Sequence, residues 1–254
     1  MTESSSTTNS TSSPTILFLH GYCEGSWIWE SVCQTLHKEY SCLALDLPGF
    51  ANGDALPDEL SILSIASIIW KKLDHQKIKT CILIGHSLGG YVALAMAELR
   101  PAEVKGLMLF HATPFADSAE RKENRNKVIS FVEQHGSKSF LDSFAPGLFR
   151  EPDSVVAQDF RKAIANASPE AVTYYAKAMR DRPDCTAIFK ALQIPKLVLG
   201  GRFDPIISPD VCRQIQEAGG DAELLILEAS AHAGMLEEPE ISLEIIREFA
   251  KKCL

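Results

Sequence analysis

Apolar residues fall into two patterns along this chain. The first is a set of short, nearly unbroken runs: Thr15–Leu19, Ser41–Asp46, Thr80–Ile84, Lys105–Phe110, Pro195–Gly200 and Ala222–Leu227. A strand with one wet face alternates apolar and polar residues, so continuous runs read as strands covered on both faces. The second pattern has helical spacing. Within Trp27–Tyr40, the residues Trp29, Val32, Cys33 and Leu36 share one side, and Ser61–Leu73 carries an Ile-rich face. Tyr91–Leu99, Pro209–Ala218 and Pro239–Lys252 also read as helices, the first stopped ahead of Pro101. Strands and helices alternate, which predicts an α/β fold: a mostly parallel central sheet with helices on both faces.

The alternation breaks once. From about Thr113 to Ala191 no strand-like run occurs, and 119–135, 154–167 and 169–180 read as helices with Phe and Met interleaved. The stretch is contiguous, lies between two core strands and has no linker-like flanks. It is therefore expected to form a helical cap (113–191) over the C-terminal edge of the sheet, where ligands bind in such folds. A separate helical interaction domain is the alternative. The charged run Glu120–Lys127 reads as a solvated helix face. Residues 1–13 are nearly all Ser, Thr, Asn and Glu and read as a flexible tail, leaving 14–254 for one folded domain.

Composition narrows the class. The 254 residues suffice for one large domain with its own core. A net charge of −8 and a pI of about 5.4 offer no basic face for a phosphate backbone or an anionic membrane. Neither nucleic acid nor membrane is thus an expected partner. The first residues lack the basic start and apolar core of a secretory signal, and no apolar stretch reaches the roughly 18 residues of a membrane span. Seven cysteines at irregular spacing, with no Cys-x-x-Cys, read as free thiols in a reducing compartment, the cytoplasm. Neither a disulfide framework nor a zinc site is expected.

Candidate chemistry centres on Gly85-His86-Ser87-Leu88-Gly89-Gly90, which joins the third strand to the helix behind it. Gly-x-Ser-x-Gly at such a joint marks a serine held on a sharp turn, with helix N–H groups facing its hydroxyl. A serine hydroxyl needs a base, and the base needs an acid to orient it. Asp204 follows the strand at 196–200 in a Gly-Pro-rich turn, and His232 follows the last strand in a loop of small residues. Both fall at the same sheet edge as Ser87, in the chain order Ser, Asp, His that this architecture uses. His86 is discounted as base, because a sequence neighbour on such a turn points away from the serine. His111 ends the fourth strand, where it can line the pocket or serve a structural role. An oxyanion hole would draw one N–H from Leu88 and another from Tyr22, in the loop after the first strand. His20 is expected to brace that loop.

These motifs, with His20-Gly21 and Asp46-Leu47-Pro48-Gly49-Phe50, make the chain resemble the cap-bearing, single-domain α/β-hydrolases over about 15–254. That group includes carboxylesterases, carbon–carbon bond hydrolases, perhydrolases and epoxide hydrolases. The resemblance implies Ser87 as nucleophile, Asp204 as acid and His232 as base, with Tyr22 and Leu88 at the oxyanion hole and no metal or organic cofactor. Epoxide and haloalkane hydrolases carry Asp where this chain has Ser87, which argues against both. The chain is short before its first strand, so the family's early antiparallel strands are expected to be missing. The expected function is a serine hydrolase cleaving a small-molecule carboxylic ester. Alternatives are a carbon–carbon hydrolase or lyase with the same triad, or a slow-turnover ligand receptor. Pocket candidates, besides His20, His86 and His111, are Trp27, Phe115, Phe140 and Phe144.

Overall fold

The computed structural model describes residues 13–254. The tail expected at 1–13 lies outside the described residues except for Ser13, which is exposed. The apolar runs form six strands: β1 (Thr15–Leu19), β2 (Cys42–Leu45), β3 (Cys81–His86), β4 (Val104–Phe110), β5 (Lys196–Gly201) and β6 (Glu223–Leu227). They pair in parallel throughout, in the order β2-β1-β3-β4-β5-β6. Among the described residues no antiparallel strand precedes β1. From β1 the chain steps outward to β2, returns to β3 on the other side, and then runs outward to β6. The C-terminal ends of β1 and β3 therefore flank the switch point, where parallel sheets open a crevice for ligands.

Side chains alternate across the sheet, so each strand feeds two cores. Leu17 and Leu19 of β1, Leu83 of β3 and Leu107 and Leu109 of β4 pack on one face. Ile16, Phe18, Ile82, Ile84, Met108 and Phe110 pack on the other. The first face is covered by α2 (Ile62–His75) and α3 (Leu88–Leu99), the second by α1 (Glu30–Leu36) and α11 (Pro239–Lys252). This double coverage is why the strands read as continuous apolar runs. The helix expected over 27–40 is shorter: a 3₁₀ turn at Ser26–Trp29 leads into α1, which ends at Leu36.

Between β4 and β5 every regular element is helical: α4 (Ala119–His135), α5 (Ser137–Phe144), a 3₁₀ turn (Ala145–Leu148), α6 (Val155–Ile164), α7 (Pro169–Asp181) and α8 (Thr186–Ala191). The eight-residue α5 and six-residue α8 are too short to give a clear period, and the pattern missed both. Serine hydroxyls cap α4, α6 and α7 by accepting the N–H three residues on, which satisfies otherwise unpaired donors. The insert docks on the loops at the C-terminal sheet edge. Tyr22 donates its hydroxyl to Val172 O (2.7 Å), Tyr175 donates to Pro48 O (2.8 Å) and Phe50 stacks on Tyr175 at 4.7 Å. Two helices near the C-terminal half complete the fold, α9 (Pro209–Gly219) and the four-residue α10 (Gly234–Glu237). All seven cysteines are free, and no helix among the described residues is long and apolar enough to cross a membrane.

Candidate active site

Ser87 stands between β3 and α3 with φ 49° and ψ −112°, a conformation a side chain rarely adopts. Its own N–H donates to Phe110 O on β4 (2.9 Å), which ties the turn to the neighbouring strand. The glycines around it are steric necessities. A Cβ on Gly85 would run into the Gly89 carbonyl, and one on Gly89 would meet the Leu19 carbonyl. The start of α3 therefore lies directly against the end of β1, beside the loop that carries Tyr22. The Leu88 and Tyr22 N–H groups have no hydrogen-bond partner among the described residues.

His232 Nε2 lies 3.0 Å from Ser87 Oγ, and His232 Nδ1 lies 2.8 Å from Asp204 Oδ2. With Nδ1–H donating to the carboxylate, Nε2 presents a lone pair to the serine hydroxyl. Asp204 Oδ1 accepts the N–H groups of Ile206 (2.7 Å) and Ile207 (3.0 Å). Burial alone would raise the Asp204 pKa, but the His232 and His111 rings, by their charge and their hydrogen bonds to it, hold it well below the usual carboxylate range.

His111 also donates Nδ1–H to Asp204 Oδ2, at 2.9 Å, so one oxygen serves two imidazoles. Burial drives the His111 pKa down to about 4, which leaves the ring neutral, with Nε2 unpartnered among the described residues. His111, Asp204 and His232 offer metal-type ligand atoms within 4.8 Å of one another. Hydrogen bonding already accounts for that cluster, since both Nδ1–H groups are engaged by Asp204.

The other histidines hold the loops. His20 Nδ1–H donates to Gly21 O (2.8 Å) and its Nε2 accepts the Leu47 N–H (2.9 Å), so the ring is a neutral brace, and burial lowers its pKa. His86 Nε2–H donates to the His232 carbonyl (2.8 Å), while Nδ1 faces Glu24 Oε2 at 2.9 Å. Burial works against both charges, yet Glu24 raises the His86 pKa and His86 lowers that of Glu24, giving a buried ion pair. Glu24 Oε2 also accepts the Gly21 N–H at 2.6 Å. Sequence reading missed Glu24; its partner lies 62 residues away, and no local signal joins them.

A cavity of about 50 Å³ lies beside Ser87 and His232, walled by Tyr22, Tyr91, Phe144, Leu148, Met179 and Ile206. That is room for a few waters. Two charged side chains reach it, Glu24 and Arg125. Phe140 packs behind the wall against Tyr22 and Phe144. Trp27 and Phe115 do not line it. Trp27 packs on Phe160 and borders a separate groove with Glu30 and Asp46, and the Phe115 carbonyl accepts from Arg182. His20, His86 and His111 are buried supports rather than pocket walls. A larger cavity of about 280 Å³ lies behind Tyr91, among Leu60, Leu63, Leu94 and Pro183, away from Ser87.

This site sits on a fold matched from residue 14 to residue 239 by the family model of the alpha/beta hydrolase fold. The chain belongs to that family, as its motifs implied. It is 26% identical to the pimeloyl-[acyl-carrier protein] methyl ester esterase of Vibrio vulnificus (strain YJ016), over 94% of this chain and 95% of that protein. It is 25% identical to the putative carbamate hydrolase RutD of Pseudomonas syringae pv. syringae (strain B728a), over 89% of each. Among solved structures, a thermophilic esterase from Thermogutta terrifontis superposes with a TM-score of 0.89 at 29% identity, covering 94% of this chain and 90% of that one.

Proposed function

We propose that this protein is a serine hydrolase that cleaves small carboxylic esters through an acyl-enzyme. The observation that carries the reading is the unbroken line from Ser87 Oγ to His232 Nε2 (3.0 Å) and from His232 Nδ1 to Asp204 Oδ2 (2.8 Å). As Ser87 Oγ attacks the ester carbonyl, His232 Nε2 takes its proton. The Leu88 and Tyr22 N–H groups hold the oxyanion that forms. His232 then passes the proton to the leaving alcohol as the C–O bond breaks. In the second half it takes a proton from water, the hydroxide adds to the acyl carbon, and the carboxylic acid leaves as Ser87 regains its proton. Asp204, gripped by four N–H donors, stays ionised and fixes the His232 tautomer.

The esterase names of the relatives favour an ester over other acyl bonds. In this reading the helices of 113–191 act as the cap: Arg125, Phe144, Leu148 and Met179 come from them and select the substrate. The seven free thiols, six of them buried, support a reducing compartment such as the cytoplasm. The test is Ser87→Ala assayed with a short p-nitrophenyl ester, alongside fluorophosphonate labelling. Hydrolysis should fall by a factor of about 10³ or more, and the label should not attach. A folded variant that keeps near-full activity would refute the assignment.

A further inference from the structure

Helix α4 carries almost no apolar stripe, and among its residues only Ile129 and Val132 are buried apolar side chains. Counting back from Ile129 by four, the inward-facing positions are Arg125 and Arg121. Core-facing guanidinium groups need partners. Arg121 has one in the Ile206 carbonyl, next to the loop that holds Asp204. Arg125 has only part of one. Its Nε donates to Asp117 Oδ2 at 3.2 Å, and its two terminal nitrogens have no hydrogen-bond partner among the described residues.

Asp117 cannot neutralise Arg125 alone, because it also faces Arg182, whose Nη1 lies 2.9 Å from Asp117 Oδ1. Arg182 is satisfied by the Met179 and Phe115 carbonyls and lies 3.9 Å over the Tyr91 ring. Two guanidinium groups share one fully buried carboxylate, which leaves one positive charge in excess. That excess reaches the cavity through Arg125, which lines it together with Ser87 and His232. The other acids nearby are engaged elsewhere: Asp184, beside Arg182, is exposed and accepts the Ala116 and Thr186 N–H groups, Glu24 is paired with His86, and Asp204 lies behind His232, held by four N–H donors.

We infer that Arg125 is a carboxylate-recognition residue and that the substrate is an ester bearing a second, free carboxylate, such as a monoester of a short dicarboxylic acid. The inference rests on the serine-esterase reading above. A guanidinium with two terminal nitrogens free of partners among the described residues matches a carboxylate in a bidentate fork. Apart from Ser87, His232 and Glu24, whose carboxylate repels an anion, the walls offer aromatic and aliphatic surface, so the anion has one place to go.

The test compares mono-p-nitrophenyl succinate with p-nitrophenyl butyrate, which are close in size and differ in the terminal carboxylate. The readout is the ratio of their kcat/KM values, so general losses of activity cancel. The wild type should favour the succinate ester. Arg125→Gln should reduce the ratio about 10- to 100-fold, the range of a charge-assisted hydrogen bond, and Arg125→Lys should recover part of it. Lys127→Gln, an exposed charge on the same helix, should leave the ratio unchanged. A wild-type ratio at or below one, or a ratio that survives Arg125→Gln, overturns the inference. If neither ester turns over, the esterase reading fails by itself. Calorimetry of monomethyl succinate binding to Ser87→Ala then decides on Arg125: binding lost in Ser87→Ala/Arg125→Gln sustains the inference, and no binding, or binding that survives, overturns it.

Discussion

Replacing Glu24 tests whether the machinery around Ser87 depends on a buried charge. In the structure Glu24 Oε2 receives two donors, Gly21 N–H at 2.6 Å and His86 Nδ1 at 2.9 Å. His86 passes the link on through Nε2 to the His232 carbonyl. Glu24→Leu deletes the acceptor for both donors and leaves His86 without a counter-ion, at a cost of about 3–5 kcal/mol of stability. For a protein of this size that is on the order of 10 °C in Tm. Glu24→Gln is more discriminating. Both donors converge on one oxygen, so an amide carbonyl there serves both only if His86 stays charged without an anion. A neutral His86 must give up either that bond or the bond to His232. The loss should be intermediate, about 1.5–3 kcal/mol.

The pH dependence fixes the interpretation. In the wild type the His86 pKa lies above its ordinary 6.5, so its contribution is fully present below pH 6.5 and is lost as pH rises through the folded value. The Glu24 pKa lies below its ordinary 4.5, so its contribution is present above pH 4.5 and is lost as pH falls through the folded value. The stability gap between wild type and Glu24→Gln should thus be widest between pH 4.5 and 6.5 and narrow above that window. Urea denaturation from pH 5 to 9 measures it. A gap that stays constant across the range would show that the pair is not ionised.

Two further substitutions probe the geometry. Asp204→Asn turns its NH₂ group either toward the two imidazole donors or toward the Ile206 and Ile207 N–H groups, so every orientation opposes donors. His232 should then switch tautomer, and ester hydrolysis should drop by about 10⁴; near-normal turnover in a folded variant would contradict the orienting role. Gly89→Ala drives a Cβ into the Leu19 carbonyl, a backbone group that no rotamer change relieves, and should cost about 1–3 kcal/mol together with much of the activity. Gly136→Ala meets no atom within 4 Å and strains only its φ of +77°, so it should cost about 1 kcal/mol with activity retained. Thermal denaturation and ester assays on both variants check the contrast.

What could be read from the chain alone followed the range of the signals. Ser87, Asp204 and His232 each sit just past an apolar run, so placing the strands placed them at one edge. Leu88 and Tyr22, just past β3 and β1, lie at the same edge. Glu24 was hidden because its meaning depends on His86, and Gly21-to-Glu24 looks like any loop until the fold closes. Arg125 was misread for a physical reason. The run Glu120–Lys127 is mostly solvated, as its composition suggests, and only the spacing of four to Ile129 marks Arg121 and Arg125 as inward-facing. Trp27 and Phe115 were drawn toward the pocket by aromatic character, which cannot distinguish a wall from the core behind it.

The buried charges and the narrow cavity meet at one residue. His232 is held at three points: its N–H donates to Leu148 O (2.9 Å), its carbonyl accepts from His86 (2.8 Å) and its Nδ1–H donates to Asp204 (2.8 Å). Only Nε2 remains, and it faces Ser87. Two of these holds come from the sheet side, fixed by β3 and the loop after β5. The third comes from the insert, since Leu148 closes the 3₁₀ turn after α5. An ester larger than a few waters cannot enter a cavity of about 50 Å³ unless part of the wall moves. Leu148 and Phe144 are part of that wall and belong to the same short segment. A movement that widens the cavity there either carries the Leu148 carbonyl with it, releasing the His232 backbone on one side, or pivots about Leu148 and moves Phe144 alone. The second route keeps all three holds on His232, and it opens the wall where Phe144 packs on Tyr22, whose N–H is one of the two without a partner among the described residues.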